Sequence, residues 1–232
     1  MHICLIAPFF YSPYSGVKLR PDIYQLAVNL VRRGYKVSVI TAFYCAKERR
    51  EQVSGIAVYR FSIMKFPRIY YYIPNPREYI HLVMKICRKA NLLHLWNVEY
   101  LTSCISILKN FSSLKGKPII LTAIGFPGIN WFYGEKVIDI FGKTYMFTIG
   151  RIILRSVDKV IVLGKTIAKK LSRAKFLDIK KVVIIPNGIN PANIRVRKNK
   201  DHVLKELGIN PENKVVSFIG HLETVKGTVY FL

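Results

Sequence analysis

Residues 215–227 read Val-Val-Ser-Phe-Ile-Gly-His-Leu-Glu-Thr-Val-Lys-Gly, an apolar run that delivers a glycine, a histidine and a lysine in one loop. A strand, a tight glycine turn and a helix start are how an α/β protein opens a phosphate site, because free N–H groups then face the anion. Lys226 adds a cation there, although a solvated lysine at a helix start reads the same way. Residues 182–190, Val-Val-Ile-Ile-Pro-Asn-Gly-Ile-Asn, form a second passage from buried strand to turn, and that turn holds Asn187 and Gly188. A third loop, Ala7 to Gly16, follows the first apolar run. Ligands of open α/β sheets bind beyond the carboxyl ends of the strands, so this loop lines the default site. Gly16 would let the backbone approach a phosphate closely, and taken alone it is more simply a turn glycine.

Other reactive side chains offer less. His2, His81, His94 and His202 show no ligand spacing, and His94, beside Trp96 in an apolar run, reads as a satisfied buried histidine. Cys4, Cys45, Cys87 and Cys104 are scattered, with no C-x-x-C pair. Free thiols in apolar segments behave as small hydrophobes, which suits a reduced, cytoplasmic compartment. Glu99 and Asp139 could neighbour the site without forming an acid/base pair, and Asp22 is a helix-start charge. No residue is assigned a catalytic role.

The elements that must position these residues alternate along the chain. Strands are expected at Ile3–Ala7, Val37–Thr41, Ala57–Phe61, Leu92–Trp96, Ile119–Thr122, Lys159–Leu163 and Val182–Ile185. Continuous Val/Ile/Leu runs suit parallel strands covered on both faces. Pro21 and Asp22 open a helix that keeps 3.6-residue spacing through Val31 and stops at Gly34. Further helices are expected at Arg77–Lys89, Glu99–Asn110, Gly142–Arg155 and Lys165–Ser172. This rhythm means an α/β protein with a doubly wound parallel sheet. Residues 1–187 form that domain, and 188–213, with Pro191 and the basic run Arg195–Lys200, cross out of it. Residues 214–232 read as the incomplete start of a second Rossmann-like domain, whose strand Val215–Ile219 would lack companions.

Composition bounds the partners. With 51% apolar and 22% charged residues the chain is globular, and its formal net charge is +24. Such a field favours anionic partners, namely nucleic acid, anionic lipid headgroups or phosphorylated substrates, while a generally basic surface explains it equally. No recognised nucleic-acid reader is present, so nucleic acid is not an expected partner. The N-terminus has no basic n-region or cleavage site, and no stretch suffices for a membrane-spanning helix. Between Phe61 and Tyr79, Lys65, Arg68 and Arg77 interleave with Phe66, Tyr70, Tyr71, Tyr72 and Tyr79. Rings and cations in that mixture suit a membrane interface, stacking on single-stranded nucleic acid, or a loop packed on its own domain.

Six segments, in order, resemble the nucleotide-sugar-dependent glycosyltransferases of family four, which have the GT-B fold of two facing Rossmann-like domains. They are Met1–Gly16, Leu26–Thr41 (which follows the pattern "LA..L..RGH.V.V.T"), Pro118–Gly128, Val157–Val162, Ile185–Ile189 and Phe218–Gly227. The resemblance implies transfer of a sugar from a nucleotide-diphosphate donor to an acceptor, with retention of anomeric configuration and no required metal or other cofactor. It implies that Lys226 and His221 meet the donor diphosphate, that Gly16 faces the same phosphates, and that Asn187 and Gly188 lie in the binding turn. A fixed cation there would stabilise charge as it develops on the leaving group.

Three positions depart from the family pattern. His221 replaces its arginine and lacks that side chain's permanent charge and bidentate fork. Ile124 stands where a histidine is common, and the paired glutamates of the donor domain have no counterpart before Leu232. The expectation is therefore the acceptor-side domain of a glycosyltransferase, inactive or nearly so alone. It would act on the cytoplasmic side, peripherally at the inner membrane face where a lipid-linked acceptor is used, and could pair with a separate donor-domain subunit. The alternative is a non-catalytic basic module that binds an anionic membrane or a partner protein.

Overall fold

A computed structural model describes residues 1–10, 21–43, 48–65, 72–110, 114–126, 136–173, 175, 177–188, 199–220 and 227–228. Contacts divide the chain into two units, Met1–Pro186 and Asn187–Leu232.

The first unit is built on an eight-stranded sheet. Its strands are β1 (His2–Ile6), β2 (Lys36–Ala42), β3 (Arg50–Val53), β4 (Ile56–Phe61), β7 (Leu92–Trp96), β8 (Ile119–Ala123), β9 (Lys159–Val162) and β10 (Val182–Ile184). The order across the sheet is β10-β9-β8-β7-β1-β2-β4-β3, and every pairing is parallel except β3 with β4. β1 lies in the interior, and the chain winds outward from it in both directions, which is the doubly wound arrangement. Two short strands, β5 (Ile63–Lys65) and β6 (Tyr72–Pro74), pair antiparallel in a separate sheet.

Register sorts the side chains onto two faces. Ile40, Ile6, Leu95, Leu121 and Val160 form one row across five strands, and all belong to the larger core cluster. That cluster also takes Tyr79, Val83 and Ile86 from α2 (Pro76–Cys87), Ile105 from a 3-10 helix at Leu101–Asn110, Ile153 and Leu154 from α4 (Arg151–Ser156), and Leu171 from α5 (Lys165–Arg173). The opposite face joins Ile3, Leu5, Val37, Val39, Ile56 and Val58 to Ile23 and Ala27 of α1 (Pro21–Arg32). Two covered faces explain why the strands carry unbroken apolar runs.

Local signals place the helices. Asn75 caps α2 by accepting from the Glu78 N–H at 3.2 Å, and Pro76 takes the first helical position. Cys4 and Cys87 meet in the core with sulfurs 3.6 Å apart, and that contact together with burial pushes the Cys4 thiol well up; both side chains are buried among apolar neighbours and act as filler.

Several elements differ from the sequence expectation: the helix expected at Glu99–Asn110 is a 3-10 helix over Leu101–Asn110, the β5–β6 pair was not expected, and three further elements differ as well. β3 is a sheet-edge strand with a charged sequence, held because Arg60 bonds the Glu51 carboxylate at 2.6 Å and the Glu48 carbonyl at 2.8 Å. The helix expected at Gly142–Arg155 begins earlier, as α3 (Lys136–Tyr145), and passes through a π turn at Met146–Gly150 into α4. Residues 215–219 form no strand, and Val216 and Ile219 are 78% and 96% exposed. Strand residues without a partner ladder leave their N–H and C=O groups to water, so nothing holds them in a sheet. The second unit's described helix is α6 (Lys200–Glu206), capped by Asn199.

Candidate functional site

The carboxyl ends of β1, β2, β7 and β8 lie side by side, and the segments leaving them form a polar and aromatic rim. Leaving β1, the Pro8 carbonyl accepts from the buried Tyr72 hydroxyl at 2.8 Å. Phe9 meets the rings of Tyr72 and Tyr100 edge-on, with centroids 5.6 and 5.7 Å apart. Tyr79 donates to the Thr102 carbonyl at 2.5 Å. These contacts tie the β5–β6 sheet, α2 and the segment after β7 to the start of the loop that contains Gly16.

Asn97 organises the next stretch of rim. It follows β7 directly, is fully buried and adopts φ of 65°. Asparagine tolerates this left-handed backbone better than other non-glycine residues. Its N–H donates to the Thr122 carbonyl at 2.8 Å, its Oδ1 accepts from the Ile124 N–H at 3.4 Å, and its carbonyl accepts from Ser103 Oγ at 2.5 Å. One residue thus joins the exits of β7 and β8. Tyr145 donates to the Val98 carbonyl at 3.0 Å, and burial raises its phenol pKa, with the nearby Cys104 and Glu99 adding to the shift.

Four buried polar atoms along this edge have no hydrogen-bond partner among the described residues: Thr41 Oγ1, Trp96 Nε1, Asn97 Nδ2 and Thr102 Oγ1. Thr41 and Trp96 follow the row of Ile40, Ile6 and Leu95, so they flank Ala7 on neighbouring strands. Buried polar atoms in native folds are satisfied by protein, water or ligand. Their grouping at one edge marks it as the polar end of the sheet.

The predicted residues fall unevenly. Gly16, His221 and Lys226 lie outside the described residues. Asn187 and Gly188 follow β10 in the chain and are exposed, with open space where a Gly188 side chain would stand. Ile124 contributes its N–H to Asn97 and packs its side chain against the α1-side core. Glu99 is buried on the rim, and Asp139 sits in the first turn of α3.

His94 is buried, bonds Thr122 Oγ1 at 2.7 Å and lies 5.3 Å from the Trp96 ring. Burial lowers its pKa to about 4, so the ring is neutral. His2 bonds the Lys89 carbonyl and Ser38 Oγ at the amino end of the sheet, away from the rim. Among the described residues no three His, Cys, Asp or Glu side chains gather as metal ligands. No helix among them is long and apolar enough to cross a membrane.

The Phe61–Tyr79 segment is corrected in part. Tyr72 and Tyr79 are buried and hydrogen-bonded inward, because each aromatic body fills the core while its hydroxyl meets a carbonyl, so neither ring faces a membrane. Phe66, Arg68, Tyr70 and Tyr71 lie outside the described residues. Sequence reading missed Asn97, whose only signal was an asparagine immediately after an apolar run.

A family model, Glycosyltransferase Family 4, matches residues 23–193. The chain belongs to glycosyltransferase family 4. The matched residues run from α1 past β10 and include the rim residues Thr41, Asn97, Thr102 and Ile124. An uncharacterised glycosyltransferase of Methanocaldococcus jannaschii is 24% identical over 214 residues, covering 89% of this chain and 52% of the relative. The chain thus spans about half the length of the curated relative it matches. Among solved structures, sucrose-phosphate synthase from Thermosynechococcus elongatus aligns over 90% of this chain and 53% of its own, with a TM-score of 0.62 at 17% identity. The catalytic domain of starch synthase IV from Arabidopsis thaliana, bound to ADP and acarbose, aligns over 92% and 60%, with a TM-score of 0.55 at 14% identity. At these identities the likeness establishes the Rossmann-like GT-B fold.

Proposed function

We propose that the chain takes part in transferring a sugar from a nucleotide-diphosphate donor to an acceptor, with retention of anomeric configuration, and supplies the acceptor-side domain. The observation that carries this reading is the family match across residues 23–193, which contains the exits of β2, β7 and β8 at the carboxyl edge of the sheet. In this reading the rim and the loop containing Gly16 form one wall of the cleft. Asn187 and Gly188 line its turn, while Lys226 and His221 meet the donor diphosphate. A cation fixed at the leaving group acts where negative charge grows. His221 lacks a permanent charge, so Lys226 carries most of that work.

Both walls are needed to exclude water and align the reactants, so the 232-residue chain by itself should turn over little or no donor. A polypeptide carrying the donor-side domain would restore transfer. The test is to incubate the chain, alone and with such a polypeptide, with a panel of nucleotide sugars and lipid-linked acceptors. Product stereochemistry would be read by NMR. Retained configuration in the combined reaction supports the reading, and an inverted product overturns its stereochemistry. Efficient transfer by the chain alone overturns the division of labour.

A further inference from the structure

One helical segment of the first unit turns its apolar face outward. No residue of α3 is fully buried, and Tyr145 at its end packs partly against the core. Val137, Ile140 and Phe141 are 80%, 66% and 72% exposed, and Phe147, Ile149 and Ile152 continue the exposed apolar surface through the π turn into α4. Positions 137, 140, 141 and 144 follow helical spacing, so they form one stripe. Thr148, beside it, bonds its hydroxyl to the Thr144 carbonyl at 2.7 Å and so presents little polarity. The segment is anchored from behind, because Met146, Gly150, Ile153 and Leu154 are buried.

One border of the stripe is basic. Lys136 and Lys143, seven residues apart, stand along one side of α3 and are exposed, and Arg155 is exposed on α4, whereas the Nε of Arg151 is buried. Asp139 is the one acid between residues 136 and 156, and the whole chain carries a formal +24. A helix with an apolar stripe, a basic border and outward orientation has the make-up of one that lies in a lipid interface. Lysine stems can run along apolar surface while their ammonium groups stay in the headgroup layer.

We infer that the α3–α4 segment is a membrane-contact surface that seats the protein on an anionic lipid bilayer through Val137, Ile140, Phe141, Phe147 and Ile152. Charge selects this occupant. A second copy carries the same net charge of +24, and that long-range repulsion opposes self-association at this face. An anionic bilayer receives the apolar side chains and neutralises the basic border together. The surface also replaces the Phe61–Tyr79 segment, two of whose rings are in the core, as the place for membrane contact. The inference stands apart from sugar transfer, and its readouts need no substrate.

The test is flotation of the 232-residue chain with phosphatidylcholine vesicles prepared with and without phosphatidylglycerol. The chain should float with the anionic vesicles, remain behind with the neutral ones, and detach as salt is raised. Phe141→Asp should lower the partition coefficient roughly tenfold or more while leaving the thermal unfolding curve unchanged, because the ring is exposed in the folded chain. Lys136→Gln with Lys143→Gln should lower it severalfold on anionic vesicles. Phe141→Trp should gain fluorescence quenching by brominated acyl chains beyond that of the unaltered protein. Failure of the unaltered chain to bind anionic vesicles would overturn the inference, as would equal binding by Phe141→Asp. Concentration-dependent dimerisation abolished by Phe141→Asp would assign the face to a second copy and overturn it too.

Discussion

The helices α2 and α3 have the same kind of sequence and opposite fates. Each is amphipathic, each has an acid in its first turn and a lysine in its last. α2 buries Tyr79, Val83, Ile86 and Cys87 against the sheet, whereas α3 packs only the end of its length there, through the partly buried Tyr145, and leaves Val137, Ile140 and Phe141 exposed. The apolar stripe states that a helix needs a partner and leaves the partner open. For α2 the partner is the fold itself. For α3 it is supplied from outside, and the basic border narrows the choice to an anionic surface.

Substitution can break that contrast. Val83→Asp places an uncompensated charge in the core and should cost about 4 kcal/mol or more, measured by denaturant unfolding. The matching change on the exposed helix, Ile140→Asp, should stay within about 0.5 kcal/mol of the unaltered chain. Equal costs would show that α3 is packed after all.

The sheet offers a pH-dependent version of the same comparison, between the buried His94 and the half-exposed Asp158. His94 has a folded pKa of about 4 against an ordinary value of 6.5, because burial disfavours the imidazolium. A depressed folded pKa means that protonation favours the unfolded chain. Stability is therefore full above pH 6.5 and falls as the pH drops toward 4, by about 3 kcal/mol in all. His94→Gln should flatten this window, and unfolding midpoints across it provide the check. Acid loss at Asp158 falls lower. Burial there raises the pKa, but Lys109, the Ile119 N–H and Lys181 together hold the carboxyl below its ordinary 3.8. Its stabilisation is present above that value and is lost as the pH falls through the lowered one.

Smaller effects test the sheet edge and the rim. Glu51→Gln removes the charge facing buried Arg60 and should cost about 2 kcal/mol, since Glu51 itself keeps some solvent. Asn97→Ala should cost about 1–2 kcal/mol through its left-handed backbone and the lost bond to Ile124, and Asn97→Gly should recover part of that. Thermal unfolding of the two variants separates backbone strain from side-chain bonding.

What could be read from the sequence follows from where the information resides. Leu92–Trp96 and Ile119–Ala123 were legible because strands buried on both faces must be apolar throughout. β3 was not, since Arg50-Glu-Gln-Val53 has no apolar run and is placed by its antiparallel ladder to β4 and by Arg60 on that neighbouring strand. The π turn leaves no mark in helical periodicity. That the loops leaving the parallel strands share one edge was legible from topology. The role of Asn97 was not, because it depends on a bond to Ile124, across a strand pair. The fate of Tyr72 and Tyr79 likewise turned on which carbonyls their hydroxyls reach, and no spacing rule encodes that.

The central proposal is that the carboxyl edge of the sheet forms the acceptor-side wall of a sugar-transfer cleft, with the loop that contains Gly16 facing the donor phosphates. Backbone NMR of the 232-residue chain titrated with nucleotide-diphosphate sugars tests it most directly. The account predicts shifts concentrated at Ala7–Gly16, Asn97–Tyr100, Asn187 and Gly188, with His2 and Lys36 at the opposite edge unmoved. Shifts confined to the amino edge, or none at millimolar donor, would contradict it.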